Sequence, residues 1–268
     1  MFNALPLSLG DTLLLSLADN LSAPIDPVAS DPAQLMIAAG LAPDGWQAEL
    51  LQSAWQRALL LCSRQAGKST VTAALSAHTA IYKPDSLTLL LSPGLRQSGE
   101  LLIKVREFYH ALPNAAPIRR ESALQMELAN GSRIVALPGK EQTVRGYSGV
   151  DLLVVDEASR VSDELYFSIR PMLAVSGGRL IALSTPFGKR GFFFDEWTQG
   201  GGDWKRTKIT AAQVPRITQA FLDEERRALG SLWYAQEYYC DFVDAVNSVF
   251  THDQIAGAFS SEILPLFG

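Results

Sequence analysis

The chain holds only two cysteines and three histidines in 268 residues. Cys62, Cys240, His78, His110 and His252 fall in no metal-ligand spacing, which argues against a zinc site. Cys62 ends an apolar run and reads as a buried, reduced thiol. No uncharged apolar stretch approaches the roughly 20 residues that cross a bilayer, so no membrane partner is expected. The leucine-rich N-terminus lacks the basic start of a secretory signal, and Asp11 and Asp19 interrupt it. The expected location is cytoplasmic. Positive charge is scarce too: a net charge of −5 argues against a protein that coats nucleic acid through one broad basic face. Local contacts through a few Arg and Lys residues stay open. No internal repeat is visible.

What is present is a pattern of short buried strands alternating with helices. Ala58 to Cys62, Leu87 to Leu91, Asp151 to Val155 and Leu180 to Leu183 are short, apolar runs suited to strands buried on both faces of a parallel sheet. Helical spacing follows the first run (Val71, Ala74, Leu75, His78) and covers Gln97 to His110. Asp163 is expected to cap a helix carrying Leu165, Ile169 and Met172. Leu124, Met126 and Leu128 alternate, Asn130-Gly131 makes a turn, and Arg133 to Leu137 returns, a hairpin. The alternation predicts an α/β fold, a central and mainly parallel sheet flanked by helices. Residues 1–45, with turns such as Pro24-Ile25-Asp26-Pro27, read as an arm of short helices and loops. Residues 46–204 read as the core. After Gly200-Gly201-Gly202 the character changes: Trp204 to Ile209 reads as one more strand and Phe221 to Tyr239 as an aromatic-rich helix. Residues 205–268 are expected to form a small lid or linker subdomain.

Cys62-Ser63-Arg64-Gln65-Ala66-Gly67-Lys68-Ser69-Thr70 sits between a buried strand and a helix, where a phosphate loop belongs. Backbone N–H groups and the positive end of the helix dipole would meet a triphosphate there. Lys68 would reach the β- and γ-phosphates, and the Ser69 hydroxyl would ligate Mg²⁺. Cys62 stands where the standard pattern has its first glycine. The second signal is Leu152 to Val155 followed by Asp156-Glu157, two carboxylates at a strand's C-terminal tip. Asp156 is placed to hold the Mg²⁺ shell and Glu157 to orient and deprotonate the attacking water. The two motifs are expected on adjacent strand ends, sharing one magnesium–ATP complex. Together they specify a P-loop NTPase of the ASCE type that hydrolyses ATP.

Three weaker signals accompany them. Ser184-Thr185-Pro186 ends the next strand, as a contact to the γ-phosphate or its water or as a plain strand-ending turn. Arg145, flanked by Gly146, can swing toward a phosphate in its own subunit or a neighbour's, or be a solvated loop arginine. Trp46-Gln47 either stacks on and hydrogen-bonds adenine or is a buried Trp beside a surface Gln.

In order and spacing, these motifs resemble the ATPase domain of large terminase subunits of tailed phages and prophages, the motors that package DNA. The resemblance runs from Trp46-Gln47 through the phosphate loop, Val144-Arg145-Gly146, Val154-Val155-Asp156-Glu157 and Ser184-Thr185-Pro186-Phe187-Gly188 to the aromatic run Phe192 to Trp197, roughly residues 45 to 250. The Ser-Arg-Gln-x-Gly-Lys form of the loop is common in that family. The resemblance implies that Arg64 helps position the γ-phosphate and that Arg145 is an arginine finger acting on the adjacent subunit's ATP. It implies that Ser184-Thr185-Pro186 couples hydrolysis to movement of double-stranded DNA. It also implies a homo-oligomeric ring, usually of five subunits, a portal protein, a small terminase subunit and work at the procapsid. Arg96, Lys104, Arg119 and Arg120 either line the ring pore or are solvated charges. Complete large terminases continue into a nuclease domain; after Phe250 this chain offers only Asp253 and Glu262, so no DNA cleavage is expected. A helicase-like translocase and a non-hydrolysing nucleotide-binding assembly module are the alternatives.

Overall fold

The computed structural model describes residues 26–140, 144, 146–244, 254 and 257–258. Helices α1 (Pro27–Ser30), α2 (Pro32–Ala38) and α3 (Gly45–Gln52) precede β1 (Arg57–Cys62) and α4 (Lys68–Tyr82). β2 (Leu87–Ser92) and α5 (Leu95–His110) follow, then β3 (Ile118–Ser122), β4 (Gln125–Leu128), β5 (Arg133–Pro138) and β6 (Leu152–Asp156). The remaining elements are α6 (Asp163–Ile169), β7 (Arg179–Ser184), α7 (Gly191–Thr198), β8 (Trp204–Ile209) and α8 (Gln219–Tyr239). The eight strands form one sheet in the order β3-β4-β5-β2-β6-β7-β1-β8. All neighbours from β5 to β8 pair in parallel, while β4 runs antiparallel to β3 and β5.

Side chains of a strand alternate between its faces, and that period sorts the apolar runs into two layers. Ala58, Leu60 and Cys62 of β1, with Leu152 and Val154 of β6, pack in the layer of α2 to α5. Leu59 and Leu61, with Leu153 and Val155, pack in the opposite layer against Leu165 and Tyr166 of α6 and Phe192 and Phe193 of α7. The central strands are buried at almost every position, which is why they read as continuous hydrophobic runs. Complete burial of one such leucine contributes about 1.5–3 kcal/mol.

Several expectations change. β8 pairs with β1 from Arg57 to Cys62, so the expected boundary at residue 205 falls inside a core strand. Residues 1–25 of the expected arm lie outside the described residues, as does most of the chain after 244. The segment that follows residue 25 packs in the core layer: Val28, Leu35 and Met36 are buried there, and Tyr82 Oη donates to Asp26 at 2.6 Å. Ser162, rather than Asp163, caps α6 by accepting from the Leu165 N–H, and Asp163 accepts from the Phe192 N–H at 2.6 Å instead. Met172 lies beyond α6 in a 3-10 turn that contains Pro171, a residue unsuited to the helix interior. The hairpin is present as β4 and β5. The aromatic-rich helix is present as α8 but breaks at Gly230, whose φ of 74° and ψ of 170° are not helical.

Candidate active site

The loop between β1 and α4 turns through two left-handed residues, Gln65 (φ 60°) and Gly67 (φ 89°), and α4 begins at Lys68. A side chain at Gly67 would sit 2.7 Å from Gln47 Nε2, and the positive φ disfavours any residue but glycine. Gln47 braces the loop by donating to the Gly67 carbonyl at 3.2 Å and accepting from the Asp44 N–H at 2.8 Å. The phosphate loop and the acidic pair do not come from neighbouring strands: β7 lies between β1 and β6. The tips of β1 and β6 nevertheless converge. Ser69 Oγ donates to Asp156 Oδ2 at 3.4 Å, and Lys68 Nζ lies 3.8 Å from Glu157 Oε1. Glu157 has a left-handed backbone (φ 50°, ψ 42°), a conformation costing a non-glycine residue about 1–3 kcal/mol and concentrated at functional sites. A cleft of about 1060 Å³ opens here, lined by Gln65, Gly67, Lys68, Ser69 and Thr70 from the loop and helix and by Glu157 from across it.

Residues 59–256 match the family described as "Terminase large subunit, T4likevirus-type, N-terminal". The chain belongs to the terminase large-subunit family. It is 24% identical over 247 residues to the large terminase subunit of Thermus phage G20c, an alignment covering 79% of this chain and 51% of that protein. It thus spans about half the length of the curated relatives it matches. Among solved structures it is similar to the large terminase ATPase domain of Thermus phage P74-26, with a TM-score of 0.68 at 20% identity, covering 78% of this chain and 98% of that one. It is also similar to the large terminase of bacteriophage HK97, with a TM-score of 0.61 at 13% identity, covering 75% of this chain and 50% of that one. The fold is the P-loop α/β fold of terminase ATPase domains. The helicase-like alternative is thereby set aside.

The terminase cleft gathers some expected site residues and leaves others out. Arg64, Gln65, Gly67, Lys68, Ser69, Thr70, Gln47 and Glu157 line it. Ser63 and Ala66 are fully buried and do not line the cleft. Trp46 is half-buried against the core and does not line the cleft, while Gln47 is buried beside the loop rather than at the surface. The Arg64 guanidinium donates to Glu237 on α8 at 2.6 Å, and this carboxylate holds its pKa above the ordinary arginine value. Ser184, Thr185 and Pro186 are buried at the end of β7 and do not line the cleft. Arg145 lies outside the described residues. Of the basic candidates for DNA, Lys104 lines the cleft, Arg119 pairs with Glu127 at 3.7 Å, and Arg96 and Arg120 are exposed. Reasoning from sequence missed Ser159, Arg160, Arg216 and Glu237. Arg216 lines the cleft and forks onto both Asp44 oxygens, at 2.9 and 2.8 Å.

Ser69 and Asp156 supply hard oxygen donors, and Asp156 is only 9% exposed. This donor set fits Mg²⁺. Burial first, then the Glu157 charge, raises the Asp156 pKa above the ordinary carboxylate value, while Lys68 pulls it down. A carboxyl whose folded pKa is raised binds its proton more tightly folded than unfolded. Stability is therefore lost as pH rises through the unfolded value and up to the folded one. Asp156→Asn is accordingly expected to raise the Tm of nucleotide-free, magnesium-free protein at pH 7. A chain of this size gains about 2–4 °C for each kcal/mol recovered. The same variant should lose the Mg²⁺-dependent part of nucleotide binding. Thermal melts with and without Mg²⁺ and nucleotide check both arms, and a lowered Tm in the bare protein would refute the electrostatic account.

Proposed function

We propose that this chain is the motor of a DNA-packaging terminase: it binds ATP with Mg²⁺ in the cleft, hydrolyses it, and couples the event to translocation of double-stranded DNA into a procapsid. The observation that carries the reading is the meeting of Lys68 and Glu157 across one cleft, 3.8 Å apart, with Ser69 and Asp156 joined beneath them. The loop N–H groups and Lys68 bind the phosphates, as the start of α4 favours an anion. Ser69 and Asp156 hold Mg²⁺, which neutralises charge on the phosphate oxygens when bound. Glu157 aligns a water for in-line attack and accepts its proton. A nucleotide-binding assembly module would need the first carboxylate but not the second, and Glu157 faces the loop at an unfavourable backbone geometry.

We further propose the division of labour in the chain. The sheet and its helices form the ATPase core, and the α8 region acts as a lid that the Arg64–Glu237 ion pair ties to the phosphate loop. Ser184-Thr185-Pro186 serves as the coupling segment. The assembly is a homo-oligomeric ring, a pentamer on a portal protein with a small terminase subunit as partner, working in the host cytoplasm. Among the described residues no helix is long and apolar enough to cross a membrane, and no group of three or more His, Cys, Asp or Glu is placed to hold a metal ion.

Arg145 supplies the test that involves the ring. Arg145→Ala and Glu157→Gln are each expected to be slow alone. If Arg145 acts on the neighbour's ATP, mixing them restores part of the ATPase, because an intact finger then meets an intact base in some interfaces. No recovery at any mixing ratio places Arg145 in its own subunit's site or in none.

A further inference from the structure

Between the catalytic carboxylate and the end of β7 runs a single 3-10 turn, Ala158–Arg160. Its middle residue fastens it to the strand end. Ser159 Oγ lies 2.6 Å from Ser184 Oγ and donates to the Thr185 carbonyl at 2.8 Å, and the Ser159 N–H donates to Ser184 Oγ at 3.3 Å. Its last residue enters the cleft. Arg160 Nε lies 3.9 Å from Glu157 Oε2, and its guanidinium carbon sits 4.0 Å from the centroid of the Phe187 ring. Phe187 is the residue directly after Ser184-Thr185-Pro186. Lys68 faces Oε1 of the same carboxylate, so Glu157 is held between two cations, one at each oxygen.

We infer that Arg160 is a positioning residue for Glu157, held in place by the Phe187 ring, so that a shift at the end of β7 re-aims the catalytic base. The inference rests on the proposed ATPase site and adds a residue to it. An ion pair at this distance, with the Arg160 side chain 37% exposed, contributes little to stability. Its value is geometric. A planar guanidinium lying on a ring has a fixed orientation that a lysine ammonium lacks. A γ-phosphate entering the cleft competes for Lys68, and Arg160 is then the cation left to orient Glu157. The arrangement joins two things the sequence shows only as separate motifs, the acidic pair and the coupling triplet. The connection runs by two routes, Ser159 through hydrogen bonds and Arg160 through Phe187.

The test is a double-mutant cycle in the whole chain, read by single-turnover ATP hydrolysis and by affinity for a non-hydrolysable ATP analogue. Arg160→Ala should lower kcat by about 10- to 10²-fold, the scale of a misplaced reacting group. Analogue affinity and KM should stay within about 2-fold, because the loss is confined to the transition state. Arg160→Lys should recover only part of the rate. Phe187→Leu, which keeps the volume apolar and removes the ring face, should slow turnover in the same direction. The double variant should be no slower than Arg160→Ala alone, the signature of residues acting in one chain. Unchanged kcat in Arg160→Ala overturns the inference. So does a parallel loss of analogue affinity, which means a direct phosphate contact, or full additivity with Phe187→Leu. Glu157→Gln measured alongside separates the two levels. If it is slow while the Arg160 variants match wild type, only the positioning role fails; if it is as fast as wild type, the site assignment fails with it.

Discussion

Glu157→Gln is expected to bind Mg²⁺–ATP about as well as the wild-type chain and to hydrolyse it about 10²-fold or more slowly. The amide has the shape of the carboxylate and retains its capacity to orient water, but it accepts a proton far less readily. The groups proposed to bind the phosphates and Mg²⁺ lie elsewhere: the loop and Lys68 for the phosphates, Ser69 and Asp156 for the ion. The variant should therefore separate binding from turnover. The local backbone should survive, because Asp156 Oδ1 still accepts from the residue-157 N–H at 2.9 Å. The like charge beside Asp156 disappears, and that charge is the second cause of its raised pKa. Nucleotide-free Glu157→Gln should thus be no less stable than wild type. Nucleotide titration followed by a single-turnover assay checks the prediction, and near-normal turnover would move the base to another residue.

The parts of the molecule that sequence makes legible are those in which one physical requirement dominates. A strand buried on both faces must be largely apolar, and the runs within β1, β2, β6 and β7 are. A loop that must wrap phosphate needs a left-handed glycine before its lysine, and Gly67 is that residue. β3 escapes such reading because it is an edge strand. Ile118-Arg119-Arg120-Glu121-Ser122 is exposed along most of its length and carries no alternating pattern. Strand order escapes it as well. Nothing local in Leu180 to Ser184 says that β7 inserts between β1 and β6, although that insertion brings Ser184 within reach of Ser159. Arg64 shows the same limit from the other side. Its place in the loop motif points to a phosphate, yet its guanidinium finds Glu237, 173 residues away in sequence. Ser159 and Arg160 look like an ordinary polar pair until tertiary structure supplies Ser184, Glu157 and Phe187.

Lys68→Ala should impair both steps that Glu157→Gln separates. The Lys68 side chain is only 12% exposed and faces Glu157 at the mouth of the loop. Deleting a preorganised charged donor of this kind costs about 10²- to 10³-fold in turnover, roughly 2.7–4 kcal/mol. Binding should weaken too, since Lys68 meets phosphate oxygens in the ground state as well as in the transition state. There is a further consequence in the empty cleft. Lys68 is the cation that pulls the Asp156 pKa back down, and without it Asp156 and Glu157 face each other with less compensation. The bare variant should therefore be less stable than wild type, and its deficit should widen as pH rises through the range in which Asp156 ionises. Adding Lys68→Ala to Asp156→Asn should reduce that deficit, because one of the opposed charges is then gone. Calorimetric nucleotide binding and melts across pH read the two effects separately. Unchanged nucleotide affinity would count against the phosphate-loop assignment, whereas a pH-independent deficit would leave that assignment standing and remove only the charge argument.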